Sequence, residues 1–304
     1  MDMKLRPSIF KRFIALLIDF VLLGITGYIL GLFFEDFFVS LENYGTLIGS
    51  VICILYFGIL NSSIGKGRTL GKIIINSKVV GLDSNYLSFG KASLRAFIAF
   101  FPLLNVELFN EGRWMMLILL IVMLVVFANI YFLFVNKDRR CLHDILTGSI
   151  VLYKPVDSFT IDEHNDVSRK KLIGVGVVAL LFMIMGVYMT FSSTYGIGEL
   201  LTAKEAIEKE PGVISVNKVN LSTTTNSSTN GPTETYTSIN ITVRINKESE
   251  VNNVDSKYFD DFLKIIRENI KEAGSVNYIK ITLYYGYNIG IANKNRSMTK
   301  TYEQ

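Results

Sequence analysis

Long apolar runs alternate with short basic segments through the first half of the chain, and the pattern changes character near residue 195. The first run covers 13–34 and carries a formal charge only at Asp19. About 20 apolar residues suffice to cross a hydrocarbon core as a helix, so a first membrane span is expected there. A second span is expected over 46–64, ending in Asn61-Ser62-Ser63. Residues 96–109 are apolar but short and interrupted by Pro102, whereas 113–135 form a full-length run. A last run, 172–192, follows Arg169-Lys170-Lys171. Basic residues crowd the N-terminus (Lys4, Arg6, Lys11, Arg12) and the segments 65–95 and 136–171. Basic loops stay in the cytoplasm, so 96–109 must cross as a short, bent third span. Five spans result, with the N-terminus inside.

Between the spans, β-branched residues alternate over 73–91 around the turn signal Gly81-Leu82-Asp83-Ser84-Asn85, which predicts a short cytoplasmic hairpin. Residues 156–171 are polar and acidic enough to be a cytoplasmic linker. From 193 onward the pattern is that of a water-exposed domain. A helix is expected over 203–210, with strands over 213–221 and 236–245 joined by a polar turn (222–235). Tyr258, Phe259, Phe262, Ile265, Ile266 and Ile270 recur at helical spacing. Residues 276–285 and 289–292 read as strands. The fold class is thus an α-helical polytopic membrane bundle of about five spans, one short and Pro-bent, followed by a small extracytoplasmic α/β (α+β) domain. Its parts are a membrane domain (1–155), the linker (156–171), the fifth helix (172–192) and the outer domain (193–304).

Composition agrees: half of the 304 residues are apolar, too many in unbroken runs for a single soluble core. The first run is not read as a cleaved leader, because an acid lies inside it and no small-x-small cleavage site follows. The expected place is the plasma membrane, multi-pass. Cys53 and Cys141 both precede the outer domain, which therefore has no disulfide available. His143 and His164 are too few and too scattered for a His-based metal site. Gly65-Lys66-Gly67-Arg68-Thr69-Leu70-Gly71-Lys72 superficially resembles a phosphate-binding loop. Its spacing is one residue too long, Ile73 stands where Ser or Thr is needed, and no strand precedes it. The acids Asp255, Asp260 and Asp261 fit no Ca²⁺ loop. No nucleophile–base pair and no cofactor loop is found, so neither enzyme activity nor a cofactor is expected. The basic loops suit lipid headgroups and not nucleic acid.

The residue that demands explanation is Asp19. It lies seven residues beyond Arg12, roughly 10 Å along a helix and on nearly the same face. A carboxylate near the bilayer centre costs about 2.5–3.5 kcal/mol on insertion scales, less towards the edge. Asp19 must therefore face protein and be paired, hydrated or protonated. Candidate partners are Arg12, Arg140, Asn61, Ser62, Ser63 and the loop glycines.

Three features, Arg12…Asp19, the segment Gly65 to Lys72, and Arg139-Arg140-Cys141-Leu142-His143-Asp144, together resemble the RDD family of membrane proteins, over about residues 5–153. Arg12, Asp19 and Asp144 match the arginine and two aspartates that give the family its name. The resemblance implies that these three form a polar core in the membrane, supported by Asn61, Ser62, Gly65, Gly67, Arg68, Gly71, Lys72 and Arg140. Asp144 is then a buried node reaching Arg12 or Arg68, against the plainer alternative of a surface pair with Arg140 one helical turn earlier. Two functions follow as expectations. One is transport of a cation, proton or small solute, with Asp19 as the protonatable site. The other is a non-transporting assembly or sensing protein, in which the three residues hold the bundle together and residues 193–304 bind a partner or ligand. The bilayer itself and a second copy of the chain are the other expected partners.

Overall fold

A computed structural model describes residues 6–109, 115–136, 138–154, 197–226 and 234–303, with single helical positions at 174 and 184. The expected fifth span, the linker 156–171 and part of the 222–235 turn lie outside the described residues. The chain divides into two compact units, one of residues 1–33, 43–193 and 289–292, the other of 34–42, 194–288 and 293–304.

The first unit is helical. Helix α1 (Ile9–Ser40) is broken at Phe34 (φ −126°, ψ 26°), and its part up to residue 33 belongs to this unit; α2 (Gly45–Leu60) follows. Among the described residues, Ile9–Ser40 and Glu42–Leu60 are long and apolar enough to cross a membrane, and Leu120–Val135 is a shorter apolar helix. Phe13, Leu17, Val21 and Ile25 recur every fourth position on α1 and stay exposed. In water that stripe would be unfavourable, whereas it is the surface a hydrocarbon solvent requires. The opposite side of the bundle packs Leu23, Cys53, Phe57 and Ala96 together.

After Leu60 the chain does not continue the helix to 64. It folds back through a turn in which Lys66 and Gly67 have left-handed backbone (φ 54° and 68°). It then enters the one-turn helix α3 (Leu70–Ile74), capped by the Thr69 hydroxyl. A β-carbon on Gly67 would run into the Val79 carbonyl, and one on Gly71 into the carbonyl of Ala15. The glycines of this segment are therefore spacing devices, which let it lie directly on neighbouring backbone.

Strand β1 (Ser77–Gly81) comes next. The expected hairpin over 73–91 does not form. The turn after Gly81 exists, tied by Asp83 to Asn85, but the partner of β1 is β2 (Ser149–Tyr153), antiparallel, with Val79 opposite Val151. Both strands are almost wholly buried, and one face of each joins the cluster Val80, Ile150, Leu152. The apolar partner is thus drawn from a distant stretch of the chain. Between the strands stand α4 (Phe89–Leu104), α5 (Met115–Val135) and the short α6 (Leu142–Leu146). Helix α4 starts at Ser88, whose hydroxyl caps Lys91, and contains Pro102. It begins seven residues before the run expected for the third span, so Arg95 sits inside a helix and not in a basic loop.

The second unit holds α7 (Ile197–Ile207), β3 (Val213–Asn226), β4 (Glu234–Ile245), α8 (Glu248–Val251), α9 (Lys257–Asn269), β5 (Tyr278–Asn288) and β6 (Asn293–Glu303). The sheet order is β3-β4-β5-β6, parallel between β4 and β5 and antiparallel elsewhere. Ile239, Ile241, Val243 and Ile245 alternate along β4 and are fully buried, as are Phe259, Phe262 and Ile266 of α9. One sheet face covered by two helices is the α/β order read from the sequence. Residues 289–292, expected as a strand, are instead the connection before β6. That strand escaped notice because it is polar and its side chains are mostly exposed.

Candidate functional site

The polar core of the first unit consists of two separate carboxylate nodes joined by one cavity. At the first node Asp19 is only 1% exposed. Its Oδ1 accepts from Tyr56 OH (2.8 Å) and from the Gly71 backbone N–H (2.8 Å). Its Oδ2 accepts from Thr69 Oγ1 (2.6 Å). Thr69 Oγ1 in turn accepts from Lys72 N (3.3 Å) at the start of α3. The first turn of a helix leaves its N–H groups without intrahelical partners. Asp19 supplies the acceptor that Gly71 lacks, so the acid pins α3 against α1. Of the expected partners only the loop glycine Gly71 bonds to it. Arg12 does not; Tyr56 and Thr69 take its place.

At the second node Asp144 is fully buried and accepts four hydrogen bonds. Arg12 Nη2 (3.0 Å) and Cys141 N (3.2 Å) reach Oδ2. Arg95 Nε (2.8 Å) and Ser149 Oγ (3.2 Å) reach Oδ1. Arg12 Nη1 also donates to the Arg139 carbonyl. Burial pushes the Asp144 carboxyl upward, but the guanidinium groups of Arg95 and Arg12 outweigh it and hold the acid ionised far below its usual range. Arg12 and Asp144, 132 positions apart, are thus the ion pair that joins α1 to α6. Arg140, the plainer partner, donates to the backbone carbonyls of Ser149 (3.0 Å) and Asp144 (3.4 Å). Arg68 is also spent on carbonyls, those of Ser77 and Ile73. Ser62 Oγ returns to the Ile59 carbonyl at the turn after α2.

Between the nodes lies a cavity of about 240 Å³, lined among others by Arg12, Asp19, Lys72, Ser77, Arg95 and His143. Its remaining walls are largely apolar, with Phe13, Leu16, Phe57, Phe100, Leu133 and Val151 contributing. Lys72 Nζ donates to Asn61 Oδ1 (2.8 Å) and stands 5.8 Å from the centre of the Phe57 ring. Burial first, and the charge of Arg95 second, lower its pKa to about 7. His143 is bonded on both sides, Nδ1 to Asn129 Oδ1 (2.8 Å) and Nε2 to Arg95 Nη2 (3.2 Å). Burial lowers it to about 3 and Arg95 adds to this, against the pull of Asp144, so the ring is neutral at any physiological pH.

Cys141, His143 and Asp144 bring ligand-type atoms within 4.8 Å of one another. Asp144 is already shared by two guanidinium groups, and burial raises the Cys141 thiol to about 11. A divalent cation needs deprotonated donors and no competing cations; here the thiol keeps its proton and Arg12 and Arg95 compete for the carboxylate.

Arg95, Tyr56, Thr69 and His143 are the core residues that the sequence reading missed. The available signal was positional. Arg95 lies between Ala92 and Ala96 on one face of an amphipathic helix. Thr69 stands where a helix cap belongs.

A bundle with lipid-type outer surface and a charged interior defines a membrane protein. Its N-terminal half belongs to the RDD family, whose pattern matches residues 6–148. No family matches the C-terminal domain. No curated protein and no solved structure matches the chain.

Proposed function

We propose that the chain is a proton-linked transporter of a small solute, with the Lys72 amine and not the Asp19 carboxylate as the group that exchanges protons. The observation that carries this is the difference in bonding between the acids and the lysine. Asp19 and Asp144 have acceptors filled by three and four protein donors. An ion entering at either would have to displace bonds that hold α3 or α6 in place. Lys72 has one hydrogen-bond partner among the described residues and borders the cavity. An amine that has lost its ordinary preference for the charged form is suited to exchange protons near neutrality.

Arg12, Asp19 and Asp144 are then the frame around the site. The proposed arrangement is five spans in the plasma membrane, with basic loops in the cytoplasm and the β-sheet domain outside. It has no enzyme activity. The outer domain meets a ligand or partner, and a second copy of the chain can complete the assembly.

The test uses proteoliposomes with a trapped pH dye and external Na⁺, K⁺, Li⁺, chloride, phosphate or mandelate. A solute-driven pH change lost in Lys72→Met is expected. A cation-driven change lost in Asp19→Asn of matched thermal stability, with Lys72→Met unaffected, overturns the assignment in favour of cation exchange at Asp19. No pH change with any of these solutes moves the reading to assembly or sensing.

A further inference from the structure

The charges around the cavity do not balance. Arg12 and Asp19 face it from α1, Lys72 from α3 and Arg95 from α4, while Cys141 and His143 close it from the α6 end; Asp144 stands behind Arg12 and Arg95, and Tyr56 behind Asp19. His143 is neutral and the Cys141 thiol and Tyr56 hydroxyl are uncharged, so three cationic side chains meet two carboxylates. Both carboxylates are already engaged by other donors. An uncompensated charge in a low-dielectric interior is expensive unless a counter-charge arrives or a proton leaves.

A second, independent feature lies beside it. Ser77 lines the cavity, is wholly buried, and its Oγ has no hydrogen-bond partner among the described residues. Asn61 Nδ2, on the side chain that holds Lys72, is likewise buried without one. Buried donors left unbonded are rare in folded chains and call for a partner, whether water, an ion or a ligand. All three groups donate, so the missing partner is an acceptor with negative charge. The walls specify the rest of it. Phe57, Phe100, Leu133 and Leu16 offer apolar surface, and a well hydrated inorganic ion gains nothing from that. The volume of about 240 Å³ is below the roughly 300–1,000 Å³ of drug-sized sites.

We propose that this cavity binds a small apolar monocarboxylate, its carboxylate on the Lys72 amine and the Ser77 hydroxyl and its apolar part against Phe57, Phe100 and Leu133. The inference deepens the transport reading by naming the solute class, and the two can fail separately. Binding also couples to a proton. Lys72 is depressed to about 7 by burial and by Arg95, so above that pH the empty site holds a neutral amine. An arriving carboxylate restores the charged form and draws one proton in with it. Below pH 6 the amine is already charged and no proton accompanies the anion.

The experiment is titration calorimetry of the full chain in lipid nanodiscs with benzoate and its neutral analogue benzamide, at pH 8 and pH 5.5. Each titration is run in two buffers of different ionisation heat, so that proton uptake is read directly. Benzoate is expected to bind at one site at least tenfold more tightly than benzamide, with net proton uptake at pH 8 and none at pH 5.5. Lys72→Met weakens benzoate at least tenfold. Lys72→Arg binds it without proton uptake at either pH. Ser77→Ala, a minimal change that keeps the fold, weakens it about threefold or more. Equal binding of benzamide and benzoate, or full benzoate affinity in Lys72→Met and Ser77→Ala alike, overturns the site. Benzoate binding without any solute-driven pH change in proteoliposomes supports the site and removes the transport reading. Solute-driven pH change with no benzoate binding does the reverse.

Discussion

Replacing Asp144 by Asn removes one charge from the most densely bonded group of the core. Asp144 is fully buried and is shared by Arg12 and Arg95, themselves largely buried. Asn retains one acceptor oxygen, but its amide places two donors against groups that also donate, the Cys141 N–H and Arg12 at one oxygen or Arg95 and Ser149 at the other. Two guanidinium groups are then left in the interior with no counter-charge. Breaking one buried ion pair from one side costs about 3–5 kcal/mol. With about 2–4 °C lost per kcal/mol for a unit of this size, the expected fall in Tm is on the order of 6–20 °C. The assay is thermal unfolding of the detergent-solubilised full chain, followed by the fluorescence of its single Trp and 15 Tyr. A companion variant makes the result specific. Adding Arg95→Gln to Asp144→Asn removes one of the stranded cations, so the double variant should be less destabilised than the sum of the singles by about 0.5–3 kcal/mol. An Asp144→Asn protein within about 1 kcal/mol of wild type, or strict additivity in the double variant, would refute the ion-pair account.

Gly71→Ala brings a β-carbon onto the Ala15 carbonyl and should cost at least about 1–3 kcal/mol in the same unfolding assay, as overpacking does. Asp19→Asn strands at least one of the donors Tyr56, Thr69 and Gly71 and should lower stability by about 1–3 kcal/mol, read as reduced Tm and yield. The depressed Lys72 amine sets a pH dependence of stability whose sign is fixed. Between about pH 7 and its ordinary value of 10.5 the unfolded chain binds a proton there that the folded chain lacks. Stability contributed by this group therefore rises with pH through that window, by up to about 1.4 kcal/mol per pH unit. Comparing Tm of wild type and Lys72→Met from pH 7 to 10 should isolate this slope, and parallel curves would contradict it. His143→Asn should leave the pH at which benzoate binding takes up a proton unchanged, because the ring is neutral throughout that range.

Much of this architecture is written locally. The apolar runs announce α1, α2 and α5, and the two-residue alternation of β4 announces a strand with one buried face. Arg12, Asp19 and Asp144 stand out because charge beside or within apolar sequence is costly. What remains hidden is pairing across distance. Asp19 looks as though it should meet Arg12 on its own helix face. The arginine instead reaches 132 positions along to Asp144, and neutral donors from the returning loop satisfy Asp19. Strand β1 looks like half of a local hairpin, yet its mate is β2. Arg95 is mistaken for a loop charge because its helix starts before its apolar run. Strand β6 is polar because it is an edge strand, so no apolar alternation betrays it. In each case the local pattern says that a partner is needed, and tertiary packing decides which one.

Whether Lys72 exchanges the proton is read from the pH profile of mandelate-driven internal pH change in proteoliposomes, wild type against Lys72→Arg. Empty liposomes supply the leak. Wild type should give a saturable signal whose rate changes about pH 7. Lys72→Arg, charged at every pH, should lose the proton movement while still binding benzoate in nanodiscs. An inflection in the carboxylate range, or the same profile in both proteins, would place proton exchange elsewhere and contradict the assignment to Lys72.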